Sequence, residues 1–170
     1  RIKGVMNGAL SVSEKQINTK TLLDTVKKTR YDGINFMPQV SVDKTIEYGD
    51  RSLEPIVLID TGTKYSIIRN ILRIGYRVIR VPWDISFSEI ISHKPKGIII
   101  SNGPGDPKMC DITIETALKL FDSSLPMLGI CLGNQIMALA AGGDTYKLKF
   151  GHRGQNKGCT DDSTNQPFIT

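Results

Sequence analysis

From Pro55 onward the chain alternates short apolar runs with amphipathic ones, and this rhythm limits the fold more than any other feature. "PIVLID" (55–60) is a continuous apolar run, the pattern of a strand covered on both faces. "KYSIIRNILRIG" (64–75) follows, with Ile67, Ile68, Ile71 and Leu72 at helical spacing and Gly75 placed to stop the helix. "YRVIRV" (76–81) is rich in strand formers and ends at Pro82, and "FSEIIS" (87–92) fits a short helix. "GIIIS" (97–101) reads as a third buried strand, and "DITIETALKLF" (111–121) as a helix with Asp111 as its N-cap or first-turn acid. "PMLGI" (126–130) is a fourth strand, "LGNQIMALAAGG" (132–143) a helix closed by a glycine pair, and "DTYKLKFG" (144–151) a further strand. Strand and helix alternate from 55 to 143, which predicts βαβ units: an α/β fold with an open, mostly parallel sheet and helices on both faces.

Residues 1–52 are patterned differently. "TLLDTVKKTR" (21–30) fits a helix with Leu22, Leu23 and Val26 on one face. The stretch from Tyr31 to Ser52 is rich in turn residues, with Gly33, Pro38 and Gly49. The reading is a tail of a preceding domain with its linker over 1–52, and a second domain over 53–170. No initiator Met and no signal-peptide pattern open the chain, so it reads as a piece of a longer product.

Several function classes are excluded at this level. No run reaches the ~20 apolar residues of a membrane span. The net charge of +5 is spread out, and its densest group is Arg69, Arg73, Arg77 and Arg80. No run of aromatic residues interleaves with those arginines, only Tyr76, so they read as a solvated face or a protein-partner patch and not a nucleic-acid stripe. The three cysteines, Cys110, Cys131 and Cys159, are odd in number and widely spaced, with only His93 and His152 as further soft ligands. That fits neither a zinc site nor a disulfide scaffold, and it points to a reducing, cytoplasmic compartment.

Two loops carry chemistry. Ligand sites in open parallel sheets lie at the carboxyl ends of the strands, and both "SNGPGDP" (101–107) and "ICLG" (130–133) sit there. Gly129-x-Cys131-x-Gly133 has the form of a nucleophile elbow with Cys in place of Ser. A strand that turns at once into a helix forces its central residue into a strained backbone, and glycines two away prevent collision. Helix N-termini favour the reactive thiolate form of a cysteine, and the N–H of Leu132 is placed to stabilise an oxyanion. Taken alone, the turn fits a nucleophile or a small buried thiol equally well. Gly103 and Gly105 leave backbone N–H groups open to a ligand, so their loop supplies a second oxyanion donor. Neither this loop nor "DTGTK" (60–64) has the phosphate-cradling pattern G-x-x-x-x-G-K-[ST]. Cys110 and Cys159 lack such surroundings, and His93 reads as a surface residue.

With "GICLGNQ" (129–135) and "SNGPGDP" (101–107) at this separation, the chain resembles the class I glutamine amidotransferases. Within that family it is most similar to the glutamine-hydrolysing small subunit of carbamoyl-phosphate synthetases. That narrower likeness rests on "IDTGTKYSIIRNIL" (59–72), the Asn of "SNGPGDP", and "KLKFGHRGQN" (147–156), with a weaker one in "KGVMNGAL" (3–10).

The resemblance implies that Cys131 attacks the carboxamide of glutamine to form a γ-glutamyl thioester. It implies an oxyanion hole of the Gly103 and Leu132 N–H groups, and glutamine contacts from Gly103, Gly105, Leu132 and Gln135. It implies no metal or cofactor in this subunit. Its partner is a large synthetase subunit that uses ATP and Mg to make carbamoyl phosphate for arginine and pyrimidine synthesis. Asn134 stands where the family more often has His. The family's catalytic His and Glu fall in a later segment than "NQPFIT" (165–170), and His152 matches a non-catalytic position. The chain is therefore expected to be truncated at its C-terminus and inactive as it stands. The competing readings are a non-catalytic binding module of the same fold, another class I amidotransferase, and an unrelated α/β hydrolase. "SNGPGDP" argues against the last.

Overall fold

The computed structural model describes residues 6–14, 17–31, 33–151 and 158–169. They fall into two compact units, one from Tyr31 to Thr145 and one drawn from residues 1–30 and 146–170. The elements in chain order are α1 (Thr19–Lys28), α2 (Met37–Val40), β1 (Ile46–Tyr48), β2 (Pro55–Asp60), α3 (Tyr65–Arg73), β3 (Arg77–Pro82), α4 (Phe87–Ser92), β4 (Gly97–Ile100), α5 (Asp111–Phe121), β5 (Met127–Gly129), α6 (Leu132–Ala140), β6 (Gly158–Asp161) and β7 (Gln166–Ile169). The smaller unit holds α1, capped by the Asn18 side chain at the Thr21 N–H, and the antiparallel pair β6–β7. No helix among the described residues is long and apolar enough to cross a membrane.

The larger unit is the α/β fold that the sequence predicts. Its sheet runs β1-β3-β2-β4-β5, with β2, β3, β4 and β5 parallel and β1 antiparallel on the β3 edge. The period of two along each strand divides the apolar side chains between two faces. Val57, Ile59, Ile79, Val81, Ile98 and Ile100 pack under α4, α5 and α6, where Ile90, Ala117, Leu120, Leu132 and Ile136 complete the main core. Leu58 and Val78 face the other way, onto Ile68 and Ile71 of α3. Each such fully buried aliphatic side chain contributes about 1.5–3 kcal/mol. Most of the burial therefore lies on the face that carries α6.

The strand order places a crevice. From β2 the chain steps outward to β3, then returns across β2 to β4, so the order reverses between β2 and β4. Crossover loops diverge at such a point and leave a gap beyond the carboxyl ends of the two strands. Residues 60–64 and 101–105 border it.

Three expectations differ from the structure. "DTYKLKFG" forms no strand: residues 144–151 are irregular, Tyr146 is 83% exposed, and among the described residues they join neither sheet. The larger unit begins at Tyr31 rather than Leu53 and stops at Thr145, because β1 joins the sheet and Tyr48 packs against the Leu58 cluster. A three-residue edge strand gives too short an alternation to be read from sequence. Arg80 does not belong to a solvated face: it is 8% exposed and pairs with Asp60.

Asp60 closes β2 and is fully buried. Its Oδ2 accepts from Arg80 Nη2 at 2.8 Å, Arg80 Nε at 3.0 Å and the Val42 N–H at 2.8 Å. Its Oδ1 accepts from the N–H groups of Gly62 at 3.1 Å and Thr63 at 2.8 Å. Burial works to raise the carboxyl's pKa, but the hydrogen bonds from Thr63, Val42 and Gly62 outweigh it and hold it below the ordinary 3.8. A folded pKa below the unfolded one stabilises the fold above the unfolded value, and that contribution is lost as pH falls through the folded value. Asp60→Asn leaves Arg80 buried without its counter-charge and is expected to cost about 3–5 kcal/mol in urea unfolding at neutral pH. The wild type should lose this contribution below about pH 4, so the two proteins should converge in acid.

Candidate active site

Cys131 sits between β5 and α6 as the residue that caps the helix, with φ 54° and ψ −106°. A side-chain-bearing residue held there costs about 1–3 kcal/mol, so its surroundings must enforce it. They do so through close backbone approach. The Ile130 N–H bonds to the Ile100 carbonyl at 3.0 Å, which extends the β4–β5 pairing by one residue. The Gly133 N–H then bonds to the carbonyls of Ser101 at 3.1 Å and Ile130 at 3.0 Å. A Cβ on Gly133 would lie 2.1 Å from the Ile100 oxygen, and one on Gly129 would lie 2.5 Å from the Asn134 nitrogen. Any residue but glycine would push the elbow open. The thiol it carries is exposed at the carboxyl end of the sheet.

The "SNGPGDP" loop meets the elbow from the β4 side. A Cβ on Gly103 would lie 1.9 Å from the Thr61 oxygen and 2.8 Å from Leu132 Cδ2. Gly103 is thus wedged between the loop after β2 and the first residue of α6. Among the described residues no backbone acceptor takes the Gly103 N–H. Leu132, as a first-turn residue, has no carbonyl of its own helix for its N–H to reach. Below them Thr61 and Ser101, both fully buried, are joined by the Thr61 N–H to Ser101 Oγ at 3.0 Å and Thr61 Oγ1 to the Ser101 carbonyl at 2.9 Å.

The structure therefore brings Cys131, Leu132 and Gly103 to one place at the crevice. Gln135 lies one turn along α6, its N–H on the Cys131 carbonyl at 3.2 Å and its side chain exposed. Gly105 sits farther along the loop, facing the Phe36 ring. His93 ends α4 before β4 begins, at the amino end of the sheet, and is not placed to serve Cys131. His152 lies outside the described residues. Cys110 is 1% exposed, and burial, with Asp106 and Asp111 nearby, pushes its thiol up to about 11. No group of three or more His, Cys, Asp or Glu side chains among the described residues is placed to hold a metal ion.

Two residues that shape this site carry no sign in the sequence of how they do so. Asp60 shows there only as a polar end to an apolar strand. Asn102 stands out in the wording of its loop, but its partners lie far along the chain.

The family model for class I glutamine amidotransferases matches residues 57–170, well over half of the chain. The chain belongs to the class I glutamine amidotransferase family. It is 43% identical over its whole length to the carbamoyl phosphate synthase small chain of Methanopyrus kandleri, covering 47% of that protein. Against the small chains of Pyrococcus furiosus and Thermotoga maritima the identity is 38% in each case, again over the whole of this chain and over 46% and 43% of theirs. The chain spans about half the length of the curated relatives it matches. A crystal structure of a protein from Thermoplasma acidophilum, assigned as one of the subunits of GMP synthase, overlays with a TM-score of 0.56 and 27% identity. That match covers 65% of this chain and 56% of the other, and it carries the same α/β fold. In this member of the family the elbow cysteine is exposed and Cys110 is buried, which sets their accessibility apart. Iodoacetamide at pH 8 is expected to alkylate Cys131 well before Cys110, since a thiol at about 11 is only about one part in a thousand thiolate there. Peptide mass spectrometry reads the order, and equal labelling of both would contradict the geometry.

Proposed function

We propose that this chain is the glutamine-hydrolysing region of a carbamoyl-phosphate synthase small subunit, with Cys131 as its nucleophile. The observation that carries the reading is the meeting of Gly103 with Leu132 beside an exposed, strained Cys131 at the sheet's switch point. The naming of whole-length relatives as small chains supports the narrower assignment.

The chemistry follows from the positions. The Cys131 sulfur adds to the carboxamide carbon of glutamine, and the oxygen gains charge as the C–S bond forms. The N–H groups of Gly103 and Leu132 take that charge, a contribution of about 2.7–4 kcal/mol per donor in comparable sites. Collapse breaks the C–N bond. The thiol's proton leaves with the nitrogen as ammonia, and a γ-glutamyl thioester remains. Water then attacks the thioester, giving glutamate and the free thiol. Gly105 and Gln135 contact the bound glutamine from the loop and from α6. A large synthetase subunit receives the ammonia and uses ATP and Mg in a cytoplasmic heterodimer, and the carbamoyl phosphate serves arginine and pyrimidine synthesis. No metal or cofactor is assigned to this chain.

The test is glutamine hydrolysis by the full-length protein with its synthetase partner. Cys131→Ser is expected to lower glutamine-dependent turnover by at least about a thousandfold while ammonia-dependent synthesis persists. Full glutaminase activity in that variant would overturn the assignment of Cys131. A wild type that binds glutamine but never hydrolyses it would favour a binding module instead.

A further inference from the structure

We propose that Asn102 is a positioning residue whose side-chain amide clamps the loop after β2 to the loop after β4, and so fixes the Gly103 N–H where the oxyanion forms. The inference rests on the reading of Gly103 as an oxyanion donor. Asn102 Oδ1 accepts from the Lys64 N–H at 3.1 Å, and Asn102 Nδ2 donates to the Gly62 carbonyl at 3.1 Å. A backbone N–H can only donate and a carbonyl can only accept, so the two partners together fix which way the amide points. Few side chains meet both demands. A carboxylate at this position would accept from Lys64 but set its charge against the Gly62 oxygen. A hydroxyl carries its donor and acceptor on one oxygen and lacks the reach of the amide's two arms.

Asn102 is also anchored by its own backbone, since its carbonyl accepts from Ser101 Oγ at 2.9 Å. The side chain therefore reaches out from a fixed base and grips the rim of the neighbouring loop. What it sets is the next residue. Gly103 lies so close to the Thr61 carbonyl that a Cβ would overlap it. The placement of the Gly103 peptide thus depends on how near the 61–64 loop is held. Asp60 holds that loop from below through Gly62 and Thr63, and Asn102 holds it from the side. Oxyanion donors act over a narrow range of distance, and a displacement of about 1 Å costs on the order of a hundredfold in rate. Asn102 is only half-buried, and the Thr61–Ser101 bonds do not involve its side chain, so removing the amide should spare the fold.

The experiment uses the full-length protein with its synthetase partner and compares wild type, Asn102→Ala, Asn102→Asp and Cys131→Ser. Asn102→Ala is expected to lower kcat for glutamine hydrolysis about 10- to 100-fold, with KM changed less than about threefold. Amide hydrogen exchange should quicken at residues 62–64, 103 and 105 and stay unchanged in β2 and β4. Asn102→Asp keeps one of the two bonds and is expected to fall between wild type and Asn102→Ala in exchange. An unchanged kcat, a loss carried wholly by KM, or unchanged exchange in the two loops overturns the proposal. A wild type without glutaminase activity, or a Cys131→Ser variant that retains it, overturns the oxyanion role together with the functional reading beneath it. The exchange data then show separately whether the clamp itself exists.

Discussion

One buried carboxylate holds the crevice end of the sheet in place. Asp60 is fully buried, and its two oxygens accept from Arg80 on β3 and from the backbone at Val42, Gly62 and Thr63. An unpaired charge in that position would be untenable, so the folded chain must supply all of these donors together. Supplying them ties the segment before β1 to the end of β2, and β2 to the end of β3. It also makes the turn after β2 rigid, and that turn is the wall against which Gly103 rests. The site is thus supported from the core outward: from Asp60 to the 61–64 loop, then to Asn102 and Gly103, and last to Leu132 and the elbow.

The elbow shows the same logic in steric form. Cys131 holds an unfavourable backbone conformation because Gly129 and Gly133 let the chain fold back to contact distance. The Gly133 N–H on the Ser101 carbonyl then locks α6 over the end of β4. Strain at Cys131 is met by hydrogen bonds in the neighbouring strand and by the main core, into which Leu132 and Ile136 insert. The thiol held this way is exposed, whereas that of Cys110 is buried.

Much of this is legible in the sequence. The apolar runs at 55–60, 76–81 and 97–101 and the helical spacing at 64–75 and 111–121 mark the sheet and its two helical faces, because strand and helix periods differ and each run is long enough to show its own. The elbow is legible because few arrangements demand glycines on both sides of a cysteine at a strand-to-helix turn. What stays hidden is long-range or short. β1 has three residues, and its pairing with β3 leaves no periodic trace. "DTYKLKFG" alternates like a strand, yet alternation describes a face and does not provide a partner. Arg80 looks like part of a basic surface because its counter-ion lies twenty residues away. Asn102 can be seen in its motif, but its work is done across 38 to 40 residues of sequence, through partners that only the fold brings near.

In the proposed reaction Cys131 forms a covalent bond to the glutamyl group in this crevice. Its most direct test is to quench the full-length protein in acid during glutamine turnover and map acylated peptides by mass spectrometry. A hydroxylamine-sensitive γ-glutamyl adduct is expected on the peptide that contains Cys131, and none on the peptides that contain Cys110 or Cys159. Turnover of glutamine with no adduct at Cys131, or with the adduct on another residue, would contradict it.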